Sequence, residues 1–504
     1  MKINKDYIAI AVILLMFVLY LNVTMTSPIV FGDEGYYASQ AEYITENNII
    51  PLYETFKETD IFHPVLTKPP LFILTEAFFF QFGATAVKFM LPIFAMLTSF
   101  ILYIFLKKTV NAEAGIFSVL LLMTTPSLIT YGVLSYVDTL MILLLTCSLY
   151  FGYMAIESDN QRGAILSGIF AGLATLTKIT APIVFVILGL YFLFRKKRNW
   201  KIILTIILIA AILVSPWIIR NVVSFGGICY GPTDCKAITD IPIIHDESLQ
   251  FAGKNTGGGT EGSVMSIGIM NYASFAFGWL LLFLSLFGIS NAIVDKKKIN
   301  IFMLIVMLSI FPIFFFYSSR AEDAARWTLP MVIGMASLAG IFLSKSYSWL
   351  KKKNIILAMI IIAIVIMGSW YIGQEKLNTM ESVKAFSSGF FHACDWVKVN
   401  TPTDSLLLSI YAQQTAYNCN RRVSTAVPDL YEIMLTNDNT AYTRLKAHGY
   451  DYIFVMVGLI TQEAYSESFS YDFYQYLATS DNYELVFDNT QVYGQSGVLI
   501  FKVN

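Results

Sequence analysis

The feature that most constrains this chain is a succession of apolar runs, each close to 20 residues long, several of them closed by clusters of Lys and Arg. A helix of about 20 residues spans ~30 Å, the thickness of a bilayer's hydrocarbon core. Taking such runs as spans gives about eleven helices, at approximately 8–27, 86–106, 113–131, 138–156, 162–178, 180–194, 202–219, 272–292, 300–317, 327–344 and 354–372. Only 14% of the 504 residues are charged and 56% are hydrophobic, whereas soluble domains carry about 25% charged residues. That excludes a disordered chain and argues against an ordinary soluble enzyme. A formal net charge of −1 leaves no basic excess for binding nucleic acid. The first run, Ile8 to about Thr26, is longer than a signal-peptide core and no small-x-small cleavage site follows it, so a retained helix is expected.

The basic clusters orient the runs. Lys107-Lys108, Arg195-Lys196-Lys197-Arg198, Lys296-Lys297-Lys298 and Lys351-Lys352-Lys353 are cytoplasmic by the positive-inside rule. An odd number of spans then puts residues 28–85, residues 220–271 and everything after Ile372 on the opposite side, with a short turn at Ser318–Arg326. In the tail, Leu406–Ile410, Tyr452–Val457, Tyr483–Phe487 and Val498–Val503 read as strands, and Gln413–Tyr417 and Leu430–His448 as helices. The expected architecture is an α-helical polytopic protein of the cell (cytoplasmic) membrane over residues 1–372, followed by a small extracytoplasmic α/β domain over residues 373–504. Of the cysteines, Cys147 lies in an apolar run, whereas Cys229 with Cys235 and Cys394 with Cys419 fall in pairs on the expected oxidising side. Both pairs are candidate disulfides; free thiols would read the same in sequence.

Charges at membrane depth are costly unless they do something, and here the unusual ones gather on one side. Asp33 and Glu34 follow the first span, Lys68 ends the first external segment, and Asp138 opens the fourth span. Lys88, Lys178, Arg220, Arg320 and Arg326 sit at outer helix ends, against the positive-inside trend. Carboxylates and cations around one outer cavity suit a general base beside a phosphate leaving group. Plainer readings exist for single residues. Residues 33–43 read as an amphipathic helix on the membrane surface, with Asp33 as its N-cap and Glu34 complementing the dipole. Lys68 before Pro69-Pro70 reads equally as a snorkelling lysine at a helix start.

Taken together, these pieces resemble the glycosyltransferase C superfamily, in the branch containing protein O-mannosyltransferases and lipid A aminoarabinose transferases. The resemblance rests on Asp33-Glu34, Lys68-Pro69-Pro70-Leu71, Ser135-Tyr136-Val137-Asp138, the Gly-rich run Gly168–Lys178, Pro216-Trp217-Ile218-Ile219-Arg220 and Arg326-Trp327-Thr328-Leu329-Pro330, in that order over roughly residues 1–350. It implies transfer of a sugar from a polyprenyl- or dolichyl-phosphate carrier to a protein, lipid or glycan acceptor outside the cytoplasm. Asp33 is then the catalytic base, with Asp138 a second acidic position. Lys68 is the ligand of the lipid phosphate, and Glu34, Tyr37, Lys178, Arg220 and Arg326 are further candidates for binding donor phosphate or sugar. Aminoarabinose transferases carry a Glu just before the lysine, where this chain has Thr67, so the resemblance brings over neither a metal ligand nor lipid A as acceptor. No cofactor is required by this chemistry. The weak candidates for a divalent metal are His245 and Glu247, in a stretch that reads equally as a solvated turn. The main alternative is a lipid or glycan transporter or flippase; such proteins often carry internal repeats around a midplane site, whereas here no matching halves are visible and the unusual charges lie at the outer edge. A second alternative is a membrane scaffold with a partner-binding tail.

Overall fold

The computed structural model describes residues 4–26, 34–50, 69–196, 198–225, 276–317, 321–410, 412–424, 439–461 and 469–504. In chain order the helices before the tail are α1 (Lys5–Thr26), α2 (Glu34–Asn47), α3 (Leu71–Phe80), α4 (Ala84–Thr109), α5 (Ala112–Met123), α6 (Pro126–Val133), α7 (Val137–Ser158), α8 (Gln161–Thr175), α9 (Ile183–Leu193), α10 (Trp200–Phe225), α11 (Trp279–Asp295), α12 (Lys298–Tyr317), α13 (Ala321–Lys353) and α14 (Ile355–Asn400). Apart from α2 and α3, they stand where the apolar runs are. Among the described residues, six helices are long and apolar enough to cross a bilayer, seven if the bent pair α5–α6 is one span. The shorter helices α8, α9, α11 and α12 occupy the remaining positions.

Three expectations change. The run at 113–131 is not one straight span but two helices bent by 66°. Pro126 has no N–H to continue the ladder, and the hydroxyls of Thr124 and Thr125 donate to the carbonyls of Leu120 and Leu121 at 2.8 and 2.7 Å, satisfying groups at the break. The turn expected at Ser318–Arg326 is shorter, because α13 already begins at Ala321. The boundary expected at Ile372 falls inside α14, which runs for 46 residues from the apolar bundle into the tail.

Ion pairs sort the helix ends. Lys107 at the end of α4 meets Asp6 of α1 at 2.7 Å, and Lys5 pairs with Glu113 of α5. Glu157 at the end of α7 holds Arg195 after α9 at 2.8 Å and Lys298 of α12 at 2.7 Å. The ends rich in Lys and Arg are thus gathered by carboxylates, leaving the start of α7 at the far end of the same helix. Helix α8 packs on both α7 and α10. Its close approach to α10 depends on small residues: a Cβ on Gly168 would come within 2.8 Å of the Ile206 carbonyl oxygen, and one on Gly172 within 3.0 Å of Leu213 Cβ.

The tail is an α/β unit, as expected. Its elements are β1 (Leu406–Ser409), α15 (Ala412–Cys419), β2 (Arg422–Ser424), α16 (Asn439–Ala447), β3 (Tyr452–Met456), β4 (Ile460–Thr461), β5 (Phe469–Ser470), α17 (Tyr471–Thr479), β6 (Tyr483–Asp488), α18 (Thr490–Tyr493) and β7 (Val498–Val503). The main sheet has the order β2-β1-β3-β7-β6, parallel across β2-β1-β3 and antiparallel at β3-β7-β6. Strand β2 was not expected. Part of the helix expected at Leu430–His448 lies outside the described residues, and α16 covers its end.

The tail is fastened to the end of α14. Arg421, almost wholly buried, donates to the carbonyls of Val397, Lys398 and Thr401 at 3.2, 2.9 and 2.8 Å, satisfying acceptors that a helix end leaves open. Cys394 of α14 is disulfide-bonded to Cys419 of α15, so this candidate pair forms; Cys229 and Cys235 lie outside the described residues. Without reductant, a maleimide should label neither Cys394 nor Cys419, and both should label after reduction. Cys394→Ser should destabilise the tail by about 2–4 kcal/mol, measured by thermal unfolding with protease as probe of the opened tail.

Candidate functional site

Asp138 enters the first turn of an otherwise apolar helix and has no exposed surface. An ionised carboxylate there has to be paired. Lys178, in the turn after α8, holds Oδ1, and Arg326 of α13 places Nε 3.2 Å from Oδ2. Both oxygens are engaged. The cations are covered by rings: the Arg326 guanidinium lies 4.4 Å from the centre of the Tyr136 ring, and Lys178 Nζ 5.1 Å from that of Trp327. Such contacts favour the charged form of Lys and Arg while excluding water. Two cations thus share one carboxylate at this end of α7.

Three residues earlier, Ser135 joins a second group. Its N–H donates to Glu34 Oε1 at 2.5 Å and its hydroxyl to Glu76 Oε1 at 2.9 Å. Glu34 opens α2, and Glu76 lies in α3, which at ten residues is too short to span a bilayer. Burial pushes the Glu76 carboxyl up to about 8; the Ser135 bond pulls it down and the Glu34 charge adds to the rise. Glu76 Oε2 has no protein partner.

The two groups are tied through the start of α3. Pro69 and Pro70 carry no N–H, so the first donor of that helix is Leu71, and it donates to the Leu176 carbonyl at 2.8 Å, two residues before Lys178. Tyr37 of α2 packs edge-on to Phe72 of α3 with ring centres 5.0 Å apart, and the Thr45 hydroxyl donates to the Ala77 carbonyl at 3.1 Å. Helix α2 is thus built into the protein. Its residues Glu34 to Ala38, with Gln40 and Ala41, are buried, and it packs against both α3 and the tail helix α15. The Tyr417 phenol of α15 is pushed above its ordinary range by burial, with the charges of Glu42 and Glu76 adding to the rise. The tail thus reaches the same place.

Of the residues picked from sequence, the structure brings Asp138, Lys178 and Arg326 together, holds Glu34 on Ser135 three residues before Asp138, and packs Tyr37 against Phe72. Arg220 sits half-buried near the end of α10, where its Nη1 donates to Asn221 Oδ1 at 2.9 Å, and Tyr36 of α2 is its electrostatic neighbour. Asp33, Lys68, His245 and Glu247 lie outside the described residues. Among the described residues, no group of three or more His, Cys, Asp or Glu could hold a metal. Sequence reading missed Glu76 and the bridging part played by Ser135. The signal for Glu76 was present, a lone acid inside Leu71–Phe80, but its charge was hidden in a helix start read only for its Lys-Pro-Pro motif.

Residues 67–219 match the family model described as dolichyl-phosphate-mannose-protein mannosyltransferase. A comparison with curated protein sequences gives no match. Among solved structures, the apo oligosaccharyltransferase of Archaeoglobus fulgidus superposes with a TM-score of 0.69 at 11% identity, covering 93% of this chain and 72% of that one. ArnT from Cupriavidus metallidurans bound to undecaprenyl phosphate gives 0.68 at 13% identity, covering 99% and 98%. The Archaeoglobus fulgidus oligosaccharyltransferase AglB, in complex with an inhibitory peptide and a dolichol-phosphate, gives 0.63 at 11%, covering 91% and 70%. The fold is that of a polytopic membrane glycosyltransferase. The chain thus shares its fold with these structures, and within it residues 67–219 resemble the dolichyl-phosphate-mannose-protein mannosyltransferase family.

Two outcomes test this geometry. A carboxyl whose pKa is raised by folding stabilises the chain below its unfolded value of 4.5 and loses that contribution as pH rises towards about 8. The unfolding midpoint should therefore fall as pH rises through that window, and Glu76→Gln should flatten the dependence. Asp138→Ala leaves two buried cations without their partner and should cost about 3–5 kcal/mol, read as a lowered unfolding midpoint of the purified chain.

Proposed function

We propose that this protein transfers a sugar from a polyprenyl- or dolichyl-monophosphate carrier to a hydroxyl acceptor on the extracytoplasmic side of the cell membrane. The observation that carries the reading is the cation-rich cluster of Lys178, Arg326 and Asp138, placed at one end of a bundle with this fold. A phosphate monoester leaving group is already a stable anion, so its departure calls for cations and not for a general acid. Asp33 takes the proton of the acceptor hydroxyl as that oxygen attacks the anomeric carbon. The bond from that carbon to the phosphate oxygen breaks, its electron pair leaving with the polyprenyl phosphate, and a single in-line displacement inverts the centre. Lys68 and Arg220 receive the phosphate along with Arg326. Asp138, with both oxygens held by cations, sets the positions of Lys178 and Arg326 instead of accepting a proton itself. Glu34, fixed by Ser135, orients the start of α2 next to the base.

The neighbours' ligands support the kind of substrate: undecaprenyl phosphate for ArnT, a dolichol-phosphate and a peptide for AglB. The membrane sidedness rests on the charge placement around the apolar runs.

The test compares cells lacking the protein with cells resupplied with wild type or with Asp33→Asn. Mass spectrometry should show one polyprenyl-phosphate sugar accumulating and one surface glycan residue missing, restored by wild type alone. In membranes, Asp33→Asn should lower the release of polyprenyl phosphate about 10²–10⁴-fold. Movement of intact lipid-linked sugar across the membrane without release of polyprenyl phosphate would replace the transferase reading with a transporter.

A further inference from the structure

Gln40 has no exposed surface, and neither the nitrogen nor the oxygen of its amide has a hydrogen-bond partner. Buried amides are almost always satisfied, so an unsatisfied one in α2 calls for an explanation. Glu76 Oε2, equally buried, is in the same condition on the neighbouring helix α3. The two residues lie within about one helical turn of each other along the pair. Tyr37 meets Phe72, and Thr45 meets Ala77 further along, so the two helices advance in the same direction. Gln40 lies three residues past Tyr37 and Glu76 four past Phe72, one helical turn on in each case.

Their distance from the cations matters. Glu76 is five residues past Leu71, whose N–H docks on the turn carrying Lys178. Five residues of helix rise ~7.5 Å, and the Glu76 carboxyl is held by Ser135, three residues before Asp138, so the pair lies beside the cation cluster without being part of it. Gln40 offers two donors and an acceptor, and Glu76 Oε2 one further polar atom, a set that suits neutral hydroxyls, each of which both donates and accepts. Both groups are closed to solvent, as a transfer centre that must keep water from the anomeric carbon requires. From the tail, α15 packs on α2 and brings Tyr417 into the neighbourhood of Glu42 and Glu76.

We propose that Gln40 and Glu76 form the subsite that reads the hydroxyls of the sugar on the lipid donor, with Tyr417 as its roof. The inference rests on the glycosyltransferase reading above and adds to it the residues that set sugar preference.

The full chain in lipid nanodiscs should be titrated with undecaprenyl phosphate alone and with undecaprenyl-phosphate-linked mannose, glucose, galactose and arabinose. Wild type should bind at least one sugar-bearing lipid about tenfold or more tightly than the bare phosphate. Gln40→Leu should cut that preference to about threefold or less while leaving affinity for bare undecaprenyl phosphate unchanged. It should also leave the unfolding midpoint the same or higher, since this side chain has no protein hydrogen bond to lose. Glu76→Gln, which keeps an acceptor for Ser135, should shift the order of preference among the four sugars.

Unchanged preference in both variants would overturn the subsite while leaving the transferase reading in place. A lower unfolding midpoint with equal loss of bare and sugar-bearing lipid would mark the pair as structural and also overturn it. Failure of wild type to bind any of the five lipids would remove the donor reading and the subsite with it.

Discussion

A carboxylate with no exposed surface, at the start of an apolar helix, sets the terms for everything around it. Asp138 is tolerable in that place only because Lys178 and Arg326 each hold one of its oxygens, and removal of a buried partner of that kind typically costs several kcal/mol. The need brings together three separate pieces of chain: the start of α7, the turn after α8, and the beginning of α13. Helix α8 can deliver its lysine there because Gly168 and Gly172 let it lie close against α10. The same pairing sets Lys178 and Arg326 side by side at this end of the bundle.

Around this pair the chain builds a second tier. Ser135 joins Glu34 and Glu76, so the segment leading into Asp138 is held from α2 and α3 at once. These two short helices pack between the bundle and the tail. The tail cannot drift away from them easily, because α14 is continuous from the apolar bundle to Asn400, Arg421 closes its end, and a disulfide joins it to α15. Helix α15 in turn lies on α2. The polar groups under it are buried by elements from both parts of the protein.

Much of this was legible in the sequence, and what was not has physical causes. The positions of the apolar helices were readable because burial in hydrocarbon demands a long run of uninterrupted hydrophobicity. In the tail, β1, β3, β6, β7 and α15 followed from the change of period, whereas β2 and α17 were not read. The one-sided gathering of Asp138, Lys178 and Arg326 followed from the rarity of charge at helix ends in lipid. The bend at Thr125-Pro126 was missed because the run remains apolar through it, and hydropathy is blind to a lost N–H. The boundary at Ile372 was misplaced because a helix may turn from apolar to polar without a break in its backbone. Glu76 went unread because a single acid in a helix reads as surface until its neighbours are known.

By itself, then, the sequence determined the class of molecule: the apolar runs, the basic ends that orient them and the cysteines and strands of the tail are local properties of composition and period. Only the tertiary structure decided which charges meet. Pairing between Asp138 and Arg326, or between Ser135 and Glu76, joins residues far apart in the chain, and nothing in the local pattern of either partner announces the other. Contact of that kind is set by how helices pack, through glycines, prolines and side-chain volume, and it exists only once the whole bundle has closed.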